Sequence, residues 1–157
     1  MGMFTNMKSF YIAAPWDMKA EAKRIAKWFV ADGWNNTARW LELGDDLDST
    51  HYKAEAVNDV VDVANSDVLI LLNSQKRGEE TSGKAVEMGM AIAWGLPVIV
   101  IGEWSNVFHF LPGVKMVKTI EEAVAVANEA YKELMSVVPL EFAQPRLPFE
   151  AGNAKVN

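Results

Sequence analysis

The chain has 157 residues, 50 % of them hydrophobic, which is the length of one domain with enough apolar content to bury a full core. No uninterrupted apolar run approaches the roughly 20 residues of a membrane span, and the stretch from Met1 to Lys8 lacks the charged-then-apolar pattern of a leader; a soluble, cytoplasmic protein without a membrane partner is expected. A net charge of −6 argues against general binding of nucleic-acid polymers, while the absence of cysteine and the presence of only two histidines, His51 and His109, leave no material for a thiolate or imidazole metal cage. No metal and no cofactor are expected.

In chain order, "SFYIAA" (Ser9 to Ala14) is a short apolar run stopped by Pro15, and predicts a first strand. Asp17 to Ala31 places Ala20, Ile25, Trp28 and Phe29 at helical spacing, with Asp17 as the expected N-cap. Thr37 to Leu43 reads as a second strand. The polar loop "GDDLDST" follows, and its Ser49 or Thr50 is expected to cap a helix reaching about Asn65, with Val57, Val60, Val61 and Ala64 as its buried stripe. "DVLILLN" (Asp67 to Asn73) and "PVIVIG" (Pro97 to Gly102) are nearly continuous apolar runs, as expected of strands covered on both faces. Between them lies "TSGKAVEMGMAIAWG", a helix ended by Gly95 at the C′ position, with Pro97 beyond it. "VKMV" (Val114 to Val117) predicts a fifth strand, and Thr119 an N-cap for a last helix through about Ser136, with Glu121 and Glu122 in its first turn.

This alternation predicts an α/β fold: a doubly wound, flavodoxin-like or Rossmann-like parallel sheet of five strands in three layers, ordered 2-1-3-4-5. Residues 1–138 form the single domain, and 139–157, with Pro145, Pro148 and Gly152, read as an extended C-terminal tail. In such sheets ligands bind outside the carboxyl ends of the strands. That edge comprises Ala14, Pro15 and Trp16, Asn73 with the loop from Ser74 to Gly83, and Gly102 to Ser105.

Glu87 stands about one turn into the helix leaving that loop, among the small residues Gly83, Ala85, Gly89 and Ala91. A carboxylate there is partly desolvated but lies toward the positive end of the helix dipole, a combination that suits a nucleophile. The plainer reading has Glu87 facing solvent or paired with Lys84. Standard nucleotide motifs are absent: there is no G-x-x-x-x-G-K-[ST], no G-x-G-x-x-G after the first strand and no G-x-S-x-G.

The segments "FYIAAPW", "NSDVLILL" and "SGKAVEMGMAIAWGLPVIVI" resemble the nucleoside 2-deoxyribosyltransferase family, including its branch of deoxynucleoside-monophosphate N-glycosidases, over roughly Ser9 to Gly102. The resemblance implies an enzyme in which Glu87 attacks the anomeric carbon of a deoxyribosyl group. It implies that Asp59 holds a sugar hydroxyl or helps protonate the base, with Asp62 the competing carboxylate, and that Tyr11 stands beside the nucleophile. Trp16 is positioned to stack on a base; Ser82 and Gly83 can offer a hydroxyl and backbone N–H groups to a 5′-hydroxyl or 5′-phosphate. The plainer readings make Asp59 solvent-facing, Tyr11 a core aromatic, Trp16 a cover over the core and Ser82 a simple helix cap.

The partners implied are a small nucleoside or nucleotide and a free base, in a homo-dimer or higher homo-oligomer whose neighbour the tail "PRLPFEAGN" reaches. Two departures from the family pattern stand out. The stretch "EETSGKA" lacks the Asp that usually precedes the Glu, offering Glu79, Glu80 or Thr81, and "APWDMKAEAKR" lacks a phosphate-binding turn, leaving Lys19, Lys23 or Arg77 to compensate. Transfer of the sugar to a second base is the leading expectation. Hydrolysis of a deoxynucleoside or its 5′-monophosphate, a non-catalytic nucleotide sensor and a flavin binder are the alternatives.

Overall fold

Three apolar runs become the fully buried centre of a sheet in the computed structural model, which describes residues 7–73 and 82–137. Strands β1 (Ser9–Ala13), β2 (Asn35–Asn36), β3 (Val68–Leu72), β4 (Val98–Ile101) and β5 (Val114–Val117) pair in parallel in the order β2-β1-β3-β4-β5. Every residue of β1, β3 and β4 is buried, whereas β5, at the edge, exposes Lys115 and Met116. The helices are α1 (Lys19–Ala31), α2 (Ser49–Ala64), α3 (Ser82–Ala93) and α4 (Ile120–Val137). Packing of α1 with α4 and of α2 with α3, each pair against the sheet, makes the three layers.

Side-chain alternation along β1 assigns its residues to the two faces. Phe10 meets Phe29 of α1 with ring centroids 4.8 Å apart, while Tyr11 points the other way, toward α2 and α3. Two helix ends follow the expected local chemistry. Thr119 Oγ1 accepts from the Glu122 backbone N–H and Glu122 Oε2 accepts from those of Lys118 and Thr119, a capping box at the start of α4. Gly95, at φ 71°, ends α3 with Leu96 N–H bonded to Ala91 O and its own N–H to Ile92 O, a Schellman arrangement.

Four local expectations are corrected. The second strand is not Thr37 to Leu43 but the two residues Asn35–Asn36. Asn36 Oδ1 accepts from Ala38 N–H and curls the chain into a 3-10 turn at Arg39–Glu42, and the Trp40 indole donates to Ile12 O at 2.8 Å. Side-chain bonds thus replace the strand ladder. Asp17 does not cap α1: Pro15 opens a 3-10 turn at Trp16–Met18, closed by Met18 N–H to Pro15 O, and α1 starts only at Lys19. Asp48, not Ser49 or Thr50, caps α2 by accepting from Thr50 N–H. The buried face of α2 is also rotated from the valine stripe: Asp62 and Val63 are buried, Val57 is exposed, and Val60, Val61 and Ala64 are half-buried. Asp62 on the buried side pairs with Arg39, and Asp59 approaches the Tyr11 hydroxyl. The loop residues Ser74 to Thr81, including Arg77, Glu79 and Glu80, and the tail 139–157 lie outside the described residues.

At the carboxyl end of β4, Gly102 has φ 116°, and a Cβ there would stand 2.8 Å from Asn73 O. Gly102→Ala is therefore expected to destabilise the fold by about 2–4 kcal/mol, from left-handed strain and backbone overlap. Gly89→Ala, in a helix with open space around its Cβ, is expected to be neutral or stabilising by up to about 1 kcal/mol. Urea unfolding of the two variants checks the contrast; equal effects would overturn it.

Candidate active site

The middle of β1, helix α2 and the first half of α3 bring together side chains far apart in the chain. Tyr11, in the middle of β1, is completely buried, and its hydroxyl donates to Glu87 Oε1 on α3 at 2.6 Å. The same hydroxyl lies 3.4 Å from Asp59 Oδ1 on α2. A phenol has one proton to donate, so the short contact to Glu87 is the principal bond and Asp59 a longer, secondary contact. Glu87 is neither fully solvent-facing nor lost in the core; it and Asp59 are half-buried.

Electrostatics of the group follow from burial. Desolvation is the main influence raising the Glu87 carboxyl, to about 7; the Tyr11 hydrogen bond pulls it down and the Asp59 charge pushes it up. Asp59 is raised to about 6, by burial first and then by Asp62, with Tyr11 acting in the opposite direction. Burial, then the charges of Glu87 and Asp59, push the Tyr11 phenol far above its ordinary range, so it stays a neutral donor.

The other expected site residues occupy the same edge in different ways. Ala14 is half-buried, Pro15 buried and Gly83 exposed; Ser82 opens α3, and its side chain lies outside the described residues. Asn73 is buried with both ends of its amide engaged: Oδ1 accepts from Lys84 Nζ at 2.5 Å and Nδ2 donates to Glu103 O at 2.5 Å. It ties the end of β3 to α3 and to the loop after β4. Trp16 is exposed at the rim, its indole donating to Asp45 Oδ1 at 3.3 Å and lying 6.1 Å from the Trp40 ring. The Lys19 ammonium sits 4.4 Å from the Trp16 ring centroid and donates to Leu43 O. Among the described residues no hydrogen bond joins this rim cluster to Tyr11, Asp59 and Glu87.

The sequence offered Asp62 as the carboxylate competing with Asp59 but gave no sign of its partner, Arg39. Asp62 is buried in an ion pair with Arg39, whose Nε donates to Oδ1 at 2.8 Å and whose backbone N–H donates to Oδ2 at 3.0 Å. The i, i+3 spacing of Asp59 and Asp62 was the available signal, but it carries no information about a partner on a separate turn. Among the described residues no cluster of three His, Cys, Asp or Glu is arranged to hold a metal, and no helix is long and apolar enough to cross a membrane. A separate apolar recess, lined in part by Leu96, Leu111, Val114 and Leu134, opens at the amino ends of β4 and β5, away from the three-residue group.

No family model and no curated protein matches the chain. Solved structures share its fold. A CMP N-glycosidase from Clostridium botulinum is similar over 78 % of this chain and 99 % of its own, at 17 % identity and a TM-score of 0.53. A 2-deoxyribosyltransferase from Bacillus psychrosaccharolyticus is similar over 76 % of this chain and 95 % of its own, at 13 % identity and a TM-score of 0.59. A conserved protein from Enterococcus faecalis V583 is similar over 78 % and 98 %, at 17 % identity and a TM-score of 0.59.

The raised carboxyls have a consequence for stability. Between the ordinary glutamate value of 4.5 and about 7, folded Glu87 keeps a proton that the unfolded chain has released, so its contribution to stability falls as pH rises through that window. Glu87→Gln, which keeps an acceptor for Tyr11, is expected to be more stable than the parent at pH ~8 by about 1–3 kcal/mol and to show a shallower fall of stability across the window. Urea titrations at a series of pH values read both quantities. A variant no more stable than the parent at the upper pH would mean that the Glu87 carboxylate is well solvated.

Proposed function

We propose that this protein cleaves the N-glycosidic bond of a 2′-deoxynucleoside or its 5′-monophosphate, with Glu87 as nucleophile, and passes the sugar to a second base. The observation that carries this reading is the 2.6 Å bond from the Tyr11 hydroxyl to Glu87, with Asp59 beside the same hydroxyl. Both activities named for the similar solved structures, N-glycosidase and 2-deoxyribosyltransferase, belong to this class of bond chemistry and support the assignment.

The steps follow from the groups present. Tyr11 occupies Oε1 of Glu87 and aims the carboxylate, leaving Oε2 to attack the anomeric carbon. As the C–O bond forms, the C–N bond breaks, and its electron pair leaves with the base, which takes a proton from Asp59 or from water. A glycosyl ester of Glu87 results. Attack on the same carbon by a nitrogen of another base, or by water, then releases the Glu87 carboxylate, and the proton lost by the attacking group returns to Asp59 or to water. Asp59 serves either as the proton donor or as acceptor for a sugar hydroxyl. Trp16 offers its indole at the rim for stacking, and Gly83 and Ser82 place the N-terminal N–H groups of α3 at the same edge.

Purified protein incubated with deoxynucleosides and their 5′-monophosphates, with and without free adenine or cytosine, is expected to release or exchange bases, resolved by chromatography. Glu87→Ala is expected to lose this by ~10³-fold or more, because a missing nucleophile removes the covalent path. Binding without turnover in the parent would instead make the crevice a nucleotide sensor. Product formed only with an added base identifies a transferase, and free sugar without one a hydrolase.

Two further outcomes assign the acids. If Asp59 holds the sugar, kcat/KM is expected to rise with pH through about 7 as Glu87 ionises; if Asp59 donates the proton, the profile is expected to be bell-shaped with its maximum between about 6 and about 7. Asp59→Asn is expected to slow poor leaving bases far more than good ones if Asp59 donates the proton, and all bases alike if it holds the sugar.

A further inference from the structure

The electrostatics of Asp59 extend beyond the residues that touch Glu87. Asp62 lies one helical turn from Asp59 on α2; Asp62 is buried and Asp59 half-buried. Asp62 is 4 % exposed, and both its oxygens are bound by one residue. Arg39 gives Oδ2 its backbone N–H at 3.0 Å and Oδ1 its Nε at 2.8 Å, with Nη2 at 2.7 Å from the same oxygen. Arg39 Nη2 also approaches Asn58 O at 3.4 Å, so the guanidinium lies along α2.

We infer that Arg39 is a positioning residue for Asp59: its closed ion pair with Asp62 neutralises the buried carboxylate one turn away and so sets the field in which Asp59 works. The effect on turnover rests on the function proposed above, whereas the effect on the protonation of Asp59 does not. The charged and titratable groups facing Asp59 are Glu55 and Asp62 from α2, Tyr11 from β1, Glu87 from α3 and Arg39 from the 3-10 turn. Arg39 supplies the positive charge acting on Asp59 in this set. Without it a buried anion faces Asp59 unopposed, and proton uptake by Asp59 becomes easier.

A purely structural tie and an electrostatic one differ in what happens when both partners are removed. Taking away Arg39 alone leaves the charge of Asp62; taking away both removes that charge as well. Because Asp62 acts on Asp59 more strongly than Arg39 does, the double change should return Asp59 to its original behaviour or lower. This sign distinguishes the inference from a role for Arg39 in holding substrate.

The test is a carboxyl-carbon NMR titration of the full chain, parent against Arg39→Gln, Arg39→Lys and the double variant Arg39→Gln/Asp62→Asn, with base release followed in parallel. In Arg39→Gln the Asp59 midpoint should rise by about half a pH unit or more, at least about a threefold change in proton affinity. Arg39→Lys should restore part of the shift, and the double variant should return the Asp59 midpoint to the parent value or below. Its kcat/KM pH profile should return with it, even if both variants unfold more easily than the parent. An Asp59 midpoint unmoved by Arg39→Gln overturns the inference. So does a double variant whose pH profile stays displaced like that of the single variant, which would make Arg39 a structural tie or a substrate ligand. Base release persisting in Glu87→Ala would remove the functional reading, and the titrations would still decide the role of Arg39.

Discussion

The bond from the Tyr11 hydroxyl to Glu87 is the interaction on which the candidate site depends. A phenol with no solvent exposure in the central strand β1 needs a partner for its hydroxyl, and an acidic side chain on a helix packed against the same face provides it. The bond restricts the carboxylate to one orientation. It also ties α3 to the sheet, joining Glu87 to the middle of β1.

Around that bond the protein accumulates negative charge. Burial first, and then the charge of Asp59 on Glu87 and the charges of Asp62 and Glu55 on Asp59, hold Glu87 and Asp59 well above ordinary carboxylates. Arrangements of this kind are unfavourable for stability and useful for proton transfer and nucleophilic attack near neutral pH. Two features limit the cost. Tyr11 solvates Glu87 in place of water, and Arg39 closes the charge of Asp62 with two hydrogen bonds.

The rim of the crevice is held by ties of a different kind. Lys84, Asn73 and the Glu103 carbonyl connect α3, β3 and the loop after β4, and Gly102 lets that loop approach Asn73 closely. On the other side of β1, Trp40 bonds to Ile12 O and backs Trp16. These ties hold both sides of the carboxyl edge, the edge at which parallel sheets bind their ligands.

The sequence by itself determined the three central strands, the four helices and their order, because continuous apolar runs, helical spacing and end signals such as Thr119 with Glu122 and Gly95 are local physics. It also singled out Glu87, Asp59 and Tyr11, through a lone acid among small residues and through a family resemblance. The resemblance also implied Tyr11 beside Glu87; only the tertiary structure decided that Asp59 shares the same hydroxyl, that α2 turns its carboxylates rather than Val57 inward, and that Arg39 pairs with Asp62. The two-residue β2 belongs with these, since Trp40 reaches a carbonyl of a strand distant in sequence. The physical reason is common to all of them: a buried polar group takes its partner from whichever element packs against it, and that pairing leaves no period or spacing in the local chain.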